Sequence, residues 1–209
     1  MQRLWYVAYG SNVSLRRFRL YLQGGTPVGG ARRCPGAREP AGPQRDVSLM
    51  IAGGLRFVGI SSIWGGGMAI YDARADGEVA ARAYLITAEQ FVDVLAQEMR
   101  VGTDLEVDLA TVRETGWQSL GPGRYQTLAH LGEHDQLPML TFTSADVYRP
   151  PLHAPSLGYL RTIADGLRES HGWTSEVIGR YLAQFPGVAG SWSPEAIAEL
   201  TSAMGGQRP

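Results

Sequence analysis

The sequence predicts an α+β fold in which a β-rich body with two embedded helices precedes a helical C-terminal third. Three observations lead to this prediction: a β-prone opening segment that gives way to helical spacing, a series of β-prone segments between residues 47 and 143, and helical spacing after Pro150-Pro151. With 209 residues, of which 44% are hydrophobic, the chain can bury a sizeable core, which excludes a wholly disordered protein.

The opening unit is predicted to be a strand, a tight turn and a helix. Residues 4–9 are rich in aromatic and β-prone side chains and indicate a buried strand, which ends at residues 10–12 (Gly-Ser-Asn). Apolar residues then recur at helical spacing over residues 15–22, and Gly24-Gly25 closes that helix. Residues 26–47 form a loop rich in Gly, Pro and Arg.

The middle of the chain predicts further strands and one helix. Asp76-Gly77 is a two-residue turn signal and predicts a hairpin between the strands on either side of it. Thr87 and Gln90 have the spacing of a capping box and begin the helix. The expected strands cover residues 47–51, 56–63, 68–73, 78–86, 105–111, 125–131 and 137–143. In the C-terminal third, Ser156, Thr174 and Ser193 are candidate helix N-caps.

Charge and composition exclude several classes of function. With 19 basic against 20 acidic residues, nothing favours nucleic acid or an anionic membrane as a partner. No apolar stretch approaches the roughly 18 residues that a membrane span needs, and the start lacks a cleavage-like end. A single cysteine, Cys34, excludes an internal disulfide and a Cys-based zinc cluster. We therefore expect a cytoplasmic protein.

Glu98 is the first candidate catalytic residue. On a helix from about residue 88 to 99, it follows Phe91 by seven positions, Val94 by four and Leu95 by three, so it falls within the apolar stripe and points inward. Burial raises the pKa of a carboxyl group, as a general acid or base near neutral pH requires. The alternative is a Glu at the margin of the stripe that reaches solvent or pairs with an Arg.

The turn at residues 9–12 (Tyr-Gly-Ser-Asn) is the second candidate. A strand that stops at Gly and enters a helix leaves backbone N–H groups unpaired, and these suit a carboxylate or an oxyanion. The alternative is a plain connection in which Ser11, Asn12 or Ser14 caps the helix. The glycines at residues 65–67 allow a ligand-lined cleft or an ordinary loop.

Three other features favour structural interpretations. His130 and His134 have the H-x-x-E-H form of a metallopeptidase motif, but Gly132 interrupts the segment, so a hairpin turn with solvated histidines is favoured. Cys34 follows two arginines, which allows a reactive thiol, although a free loop cysteine is commoner. The cluster at residues 16–19, which contains Arg17, is interpreted as a solvated helix face.

The segment Tyr6-Val7-Ala8-Tyr9-Gly10-Ser11-Asn12 resembles the signature of the γ-glutamylcyclotransferase-like (AIG2-like) family. Gly66-Gly67-Met68-Ala69 and Gln97-Glu98 follow in the order that the family has, and Pro155-Ser156 with the helix after it resembles the family's C-terminal segment. The resemblance covers most of residues 1–182. We therefore divide the chain into a γ-glutamylcyclotransferase-like domain at 1–182 and a C-terminal helical extension at 183–209.

The resemblance implies a mixed β-barrel or sheet packed by helices, with a cavity at the turn. It implies that the α-amine of a γ-glutamyl amine attacks its own γ-carbonyl, releasing 5-oxoproline and an amine, with no cofactor or metal. Glu98 is then the general acid and base. The implied substrate-binding residues are Tyr6, Val7, Ala8, Tyr9, Gly10, Ser11, Asn12 and Gly67.

The sequence departs from the family at Met99, where Gly is usual, at Leu105, near where relatives that act on simple γ-glutamyl amino acids have Tyr, and at residues 139–142. These departures leave the amine and the oligomeric state open. Two alternatives remain on the same fold: a non-catalytic module that binds a small molecule, and an amidase or other hydrolase.

Overall fold

A computed structural model describes residues 2–102 and 104–202 of the chain. The strands are β1 (Arg3–Ala8), β2 (Arg45–Ala52), β3 (Gly54–Val58), β4 (Met68–Asp72), β5 (Glu78–Thr87), β6 (Trp117–Ser119), β7 (Thr127–His134) and β8 (Leu137–Thr143). The α-helices are α1 (Leu15–Gln23), α2 (Ala88–Met99), α3 (Leu109–Thr115), α4 (Leu157–His171), α5 (Ser175–Ala183) and α6 (Pro194–Ser202). A 3-10 turn, Ser11–Val13, lies between β1 and α1.

Six strands form the central sheet in the order β2-β5-β1-β8-β7-β6. β1 runs antiparallel to β5 and parallel to β8. Because β1 has paired strands on both sides and packed layers on both faces, its sequence is an apolar run rather than an alternating pattern. The predicted buried first strand is confirmed.

Helices cover both faces of this sheet. Trp5 and Val7 join an apolar cluster with residues of α4, α5 and α6, whereas Leu4 and Tyr6 join a second cluster with residues of α1, α2 and α3. Successive side chains of a strand point to opposite faces, so β1 contributes to both clusters. The predicted α+β class, a mixed sheet packed by helices with a helical C-terminal segment, is confirmed.

The hairpin predicted across Asp76-Gly77 is wrong. Among the described strands, β4 pairs with β3 in a separate two-stranded sheet, and β5 pairs with β1 and β2. The chain does turn at Gly77, where φ is +121°. However, every position of β5 after Glu78 is buried. Such a strand gains most from a central place in the larger sheet, where partners cover it on both edges.

The strand predicted over residues 105–111 is also wrong. The Asp108 carboxylate accepts hydrogen bonds from the N–H groups of Ala110 and Thr111 at 3.0 and 3.2 Å, which caps α3 at its first turn. Leu109 and Val112 then face the core at helical spacing. The strand was expected because Leu105, Val107 and Leu109 alternate with acidic residues, but Leu105 and Val107 lie in the loop before this cap and Leu109 begins the helix.

Most other predicted elements are confirmed, with shifted ends. The capping box of Thr87 and Gln90 forms, and Ser156 and Thr174 cap their helices as predicted. The Ser193 hydroxyl accepts a hydrogen bond from the Ala196 N–H at 3.1 Å. The strand expected over 56–63 ends at Val58, before a glycine with positive φ.

The C-terminal third is helical, as predicted. Phe185, Val188 and Ile197 lie in the same apolar cluster as Trp5. The division between 1–182 and 183–209 stays a prediction, and residues 203–209 lie outside the described residues. Within residues 2–102 and 104–202, no helix combines the length and apolar character that a bilayer crossing requires.

Candidate active site

The turn after β1 has backbone N–H groups that other parts of the described chain do not use. The Ser14 hydroxyl accepts a hydrogen bond from the Arg17 N–H and caps α1, so Ser11 and Asn12 do not have that role. None of the hydrogen bonds found among the described residues uses the N–H of Gly10 or Asn12. A Cβ atom at Gly10 would lie 3.0 Å from the Tyr159 hydroxyl, so glycine permits this close approach. The turn therefore offers free donors.

Asn12 is buried at this turn with one half of its amide unsatisfied. Its Nδ2 donates a hydrogen bond to the Tyr6 hydroxyl at 3.1 Å. Its Oδ1 is buried and has no hydrogen-bond partner among the described residues. A buried acceptor without a partner is uncommon and costs free energy, so it is a candidate position for a ligand donor.

Glu98 lies in the last turn of α2 and is half-buried, with its carboxylate turned inward. It accepts a hydrogen bond from the Tyr21 hydroxyl of α1. Burial raises the pKa of Glu98 above its ordinary value, while the Tyr21 hydrogen bond and the charges of Arg17 and Arg100 oppose that rise. The opposing effects leave a carboxyl group with a raised pKa in contact with a proton donor.

Glu98 and the turn share one cavity. A small chamber of about 30 Å³ is lined by Glu98, by residues 9–12 and by Tyr6, Ala69, Tyr125, Phe142 and Tyr159. An adjoining cleft of about 530 Å³ shares Ser11, Glu98, Tyr125 and Tyr159 with the chamber. The carboxylate therefore lies where a narrow, enclosed space meets a wider one.

Tyrosines hold the chamber walls in place. The Tyr125 hydroxyl donates to the Ala69 carbonyl at 2.9 Å, and the Tyr159 hydroxyl accepts from the Ala69 N–H at 3.2 Å. Burial raises the pKa of Tyr159 to about 12. These phenols are therefore neutral at physiological pH and leave Glu98 as the titrating group of the chamber.

Two solved structures share this architecture: one named gamma-glutamyl cyclotransferase, and the crystal structure of an uncharacterized protein from Homo sapiens. Each aligns with a TM-score of 0.54 and 16% sequence identity, covering 97% of this chain and 99% of its own. The chain has the γ-glutamylcyclotransferase fold. No family model matches the sequence.

One curated relative is similar in sequence. Histone deacetylase 5 of Arabidopsis thaliana is 31% identical over 198 aligned residues, which cover 86% of this chain and 30% of the plant protein. The chain therefore spans less than a third of the length of this relative.

Three of the residues expected to bind substrate do not line the chamber or the adjoining cleft of this cyclotransferase fold. Val7 and Ala8 belong to the apolar clusters on opposite faces of the sheet. Gly67 packs closely against the backbone at His153: a Cβ atom at this position would lie only 2.0 Å from the His153 carbonyl oxygen. The other expected residues (Tyr6, Tyr9, Gly10, Ser11, Asn12 and Glu98) all line the chamber.

The sequence interpretation missed Arg17 and Tyr21. Arg17 was expected on a solvated face, but it is 3% exposed and donates to the Cys34 sulfur at 3.2 Å and to the Tyr21 hydroxyl at 3.1 Å. Cys34, expected to be a free loop cysteine, is free and also buried. Arg17 and Tyr21 are four residues apart beside the apolar stripe of α1, a spacing that pairs side chains on one face. This four-residue spacing is the sequence signal that could have indicated an Arg17–Tyr21 contact.

The two histidines of the H-x-x-E-H segment lie on β7 rather than in a hairpin turn. The turn itself falls at Asp135 and Gln136, which both have positive φ. The pairing of β7 with β8 is irregular between His130 and Glu133. Over residues 2–102 and 104–202, no group of three His, Cys, Asp or Glu residues is arranged to hold a metal ion.

Proposed function

We propose that the protein is a γ-glutamylcyclotransferase-like enzyme that converts a γ-glutamyl amine into 5-oxoproline and a free amine. The observation that carries the proposal is that Glu98 and residues 10–12 line one chamber although they are distant in sequence. The fold supports the proposal at the level of architecture.

The chamber offers partners for the ammonium and for the γ-carbonyl oxygen of the reacting γ-glutamyl end. The buried Asn12 Oδ1 is an acceptor for the substrate ammonium. The Glu98 carboxylate lines the same chamber and is the group that receives a proton from this ammonium. The N–H groups of Gly10 and Asn12 are donors for the oxygen that becomes negative during the reaction. Fixed donors in a space with little water stabilise such an oxyanion strongly.

The reaction then balances without an enzyme nucleophile. Glu98 takes a proton from the α-ammonium, and the amine nitrogen forms a bond to the γ-carbonyl carbon. The tetrahedral intermediate carries its negative charge on the former carbonyl oxygen. When the bond to the leaving nitrogen breaks, Glu98 gives its proton to that nitrogen and then takes the second proton from the ring nitrogen, which becomes the lactam N–H. That second proton passes to the freed amine, which leaves as an ammonium and restores the Glu98 carboxylate. Because the attack is intramolecular, the reacting atoms have a high effective molarity from the start.

The raised pKa of Glu98 supports this double role. A carboxyl group whose pKa approaches the operating pH is a better proton donor than one with an ordinary value, yet still accepts a proton as the carboxylate. Tyr21 keeps the carboxylate oriented by its hydrogen bond. Tyr21 is therefore a positioning residue in this proposal.

The two alternatives on this fold predict other outcomes. A binding module stabilises in the presence of ligand without forming product. An amidase releases free glutamate or another acid rather than 5-oxoproline. The name of the plant relative describes a protein of which this chain spans 30%, so we assign no deacetylation to the chain.

The test is a mass-spectrometric screen of a varied panel of γ-glutamyl amides for 5-oxoproline. Wild type is expected to form it, and Glu98→Gln to lose about two to four orders of magnitude in rate. Glu89→Gln is the matched control, because Glu89 lies exposed on the same helix. Ligand-induced stabilisation without product would favour the binding module, and release of glutamate would favour the amidase.

A further inference from the structure

The wider cleft beside Glu98 is strongly basic. Its lining includes five arginines, and Glu98 is the one acidic residue among the described lining residues. The arginines are Arg17, Arg32, Arg33, Arg100 and Arg124. The whole chain has a formal charge of −1, so the positive charge of this cleft is local.

Among the residues that the structure describes, these five arginines make no direct ion pair. Within residues 2–102 and 104–202, none of them has a carboxylate within 4.0 Å. Six arginines outside the cleft do form ion pairs, and exposure does not explain the difference, since the paired Arg45 side chain is 57% exposed. Seven further described arginines outside the cleft also form no ion pair, so what distinguishes the five is that they surround one cleft. The paired arginines are Arg38, Arg45, Arg74, Arg82, Arg113 and Arg168.

Neutral groups hold three of these side chains at the cleft. Arg17 donates to Cys34 and Tyr21, Arg100 donates to the Ser62 hydroxyl, and Arg124 donates to the Ile60 carbonyl at 3.5 Å. Such partners fix direction but carry no negative charge, and the Glu98 carboxylate acts on Arg17 and Arg100 through space without a direct ion pair. Arg17 is also nearly fully buried, and its Nε has no hydrogen-bond partner among the described residues. A buried cation that lacks an anionic partner is costly, and a bound anion relieves that cost.

The cleft also has the right place and size for the leaving amine. The chamber beyond Glu98 is narrow, whereas the cleft of about 530 Å³ falls within the range of small-molecule sites. A substrate with its γ-glutamyl end in the chamber would extend its amine portion past Glu98 into the cleft. The Trp64 ring and Met68 provide an apolar wall there.

We propose that the preferred substrate is a γ-glutamyl amide whose leaving amine carries two or more negative charges, as carboxylates or as a phosphate. The proposal rests on the proposed function. It follows from five unpaired arginines around a cleft that begins at Glu98. Guanidinium groups bind both carboxylates and phosphates through paired N–H donors.

The test compares kcat/KM over five amides that differ in the charge of the amine. The panel is γ-glutamyl-glutamate, the γ-glutamyl amide of phosphoethanolamine, γ-glutamyl-alanine, γ-glutamyl-methylamide and γ-glutamyl-putrescine. We expect at least tenfold higher kcat/KM for one or both of the first two than for the last two, and the first two identify the kind of anion. Salt should reduce this preference, because the Debye length falls from about 10 Å at 0.1 M to about 3 Å at 1 M.

The double variant Arg32→Gln/Arg33→Gln tests the cleft directly. Both side chains are exposed, so the fold should survive. The preference for the dianionic amides over γ-glutamyl-methylamide should fall about tenfold. Arg16→Gln/Arg19→Gln is the matched control, because these arginines lie exposed on α1 and outside the cleft lining; it should keep the preference.

The outcomes separate this inference from the proposed function. Equal turnover of neutral, cationic and dianionic amides would overturn the charge preference and leave the cyclotransferase activity standing. If no amide yields 5-oxoproline, the proposed function fails, and binding is then read from the melting temperature. Stabilisation by γ-glutamyl-glutamate or the phosphoethanolamine amide, but not by the methylamide, that is lost in Arg32→Gln/Arg33→Gln would support anion recognition. No such stabilisation would overturn it.

Discussion

At the scale of single residues, Glu98 shows how opposing effects set the chemistry of a site. Burial raises the pKa of the carboxyl group, and the Tyr21 hydrogen bond with the Arg17 and Arg100 charges moderates that rise. A raised pKa brings a carboxyl group closer to the neutral pH at which a general acid and base exchanges its proton. Because burial disfavours the charged form, Glu98 destabilises the folded state when it is ionised.

That cost leads to a prediction for Glu98→Gln. Because the folded pKa lies above the unfolded value of 4.5, the native state binds more protons than the unfolded state between the two values. The stabilisation of the native state by this bound proton is full below pH 4.5 and is lost as pH rises through the folded pKa of Glu98. Glu98→Gln should therefore be at least as stable as wild type at pH 7, with the difference shrinking toward pH 4. Urea unfolding from pH 4 to 8 measures it, and a clearly less stable variant at pH 7 would contradict it.

A second prediction concerns Tyr21→Phe. Loss of the hydroxyl removes a hydrogen bond that lowers the pKa of Glu98, so that pKa should rise further. The acid limb of the kcat/KM profile, where Glu98 ionises, should then move to higher pH. Tyr181→Phe is the control, because its hydroxyl contacts the Ala80 N–H, away from the chamber. An unchanged acid limb in Tyr21→Phe would show that Glu98 does not set it.

The sequence predicts Glu98 better than it predicts the residues around it. An inward Glu can be inferred because helical spacing alone places it among Phe91, Val94 and Leu95. The burial of Arg17 depends on Cys34, seventeen positions later, and on Tyr21, which contacts Glu98 across two helices. Contacts between distant segments have no periodicity in the sequence, so composition favoured a solvated face for Arg17.

At the scale of elements, the turn that lines the chamber depends on how closely α4 approaches it. A Cβ atom at Gly166 would lie 2.3 Å from the Ser14 nitrogen and 2.6 Å from the Val13 carbonyl carbon. Only glycine therefore allows α4 to lie against the backbone of the turn. The position of Ser11 and Asn12 follows from this contact.

Gly166→Ala should consequently displace the turn. Because the neighbouring atoms are backbone, we expect a loss of about 1–3 kcal/mol in the free energy of unfolding. A fall in kcat/KM on the best amide should accompany it. Gly158→Ala on the same helix is the control, since its Cβ would meet the Trp64 ring at an ordinary 3.6 Å. Urea unfolding of both variants measures the effect, and equal stability of the two would contradict it.

Elements were predictable where local signals agree with the long-range pairing. The capping box at Thr87 fixes the start of α2 whatever lies around it. The Asp76-Gly77 turn is equally local, but the partner of β5 is decided by the burial of both its faces. The strand prediction for residues 105–111 is wrong for a local reason. An Asp such as Asp108 can serve as a helix N-cap as readily as it can serve as the polar residue of an alternating strand.

At the scale of the whole molecule, the sheet has a packed layer on each face, and both layers contribute to the chamber, since Glu98 comes from α2 and Tyr159 from α4. α1 and α2 carry Tyr21 and Glu98, while α4, α5 and α6 cover the opposite face. The fold class could be predicted because the change from β-prone to helical segments is visible in the sequence. Whether the last helices belong to this body was not visible, because α6 is short and its apolar face is small.

The contribution of α6 can be measured with Ile197→Ala. Ile197 is fully buried in the cluster that contains Trp5 of the central sheet. If α6 belongs to the cooperative core, truncation should cost about 2–5 kcal/mol in the unfolding of the whole chain. Glu199→Ala, on the exposed side of α6, should change stability by less than about 0.5 kcal/mol. Urea unfolding followed by far-UV circular dichroism reports the loss of the sheet. A main transition unchanged in Ile197→Ala would mean that residues 183–209 are a separate extension, whereas a shifted one would move the domain boundary beyond α6.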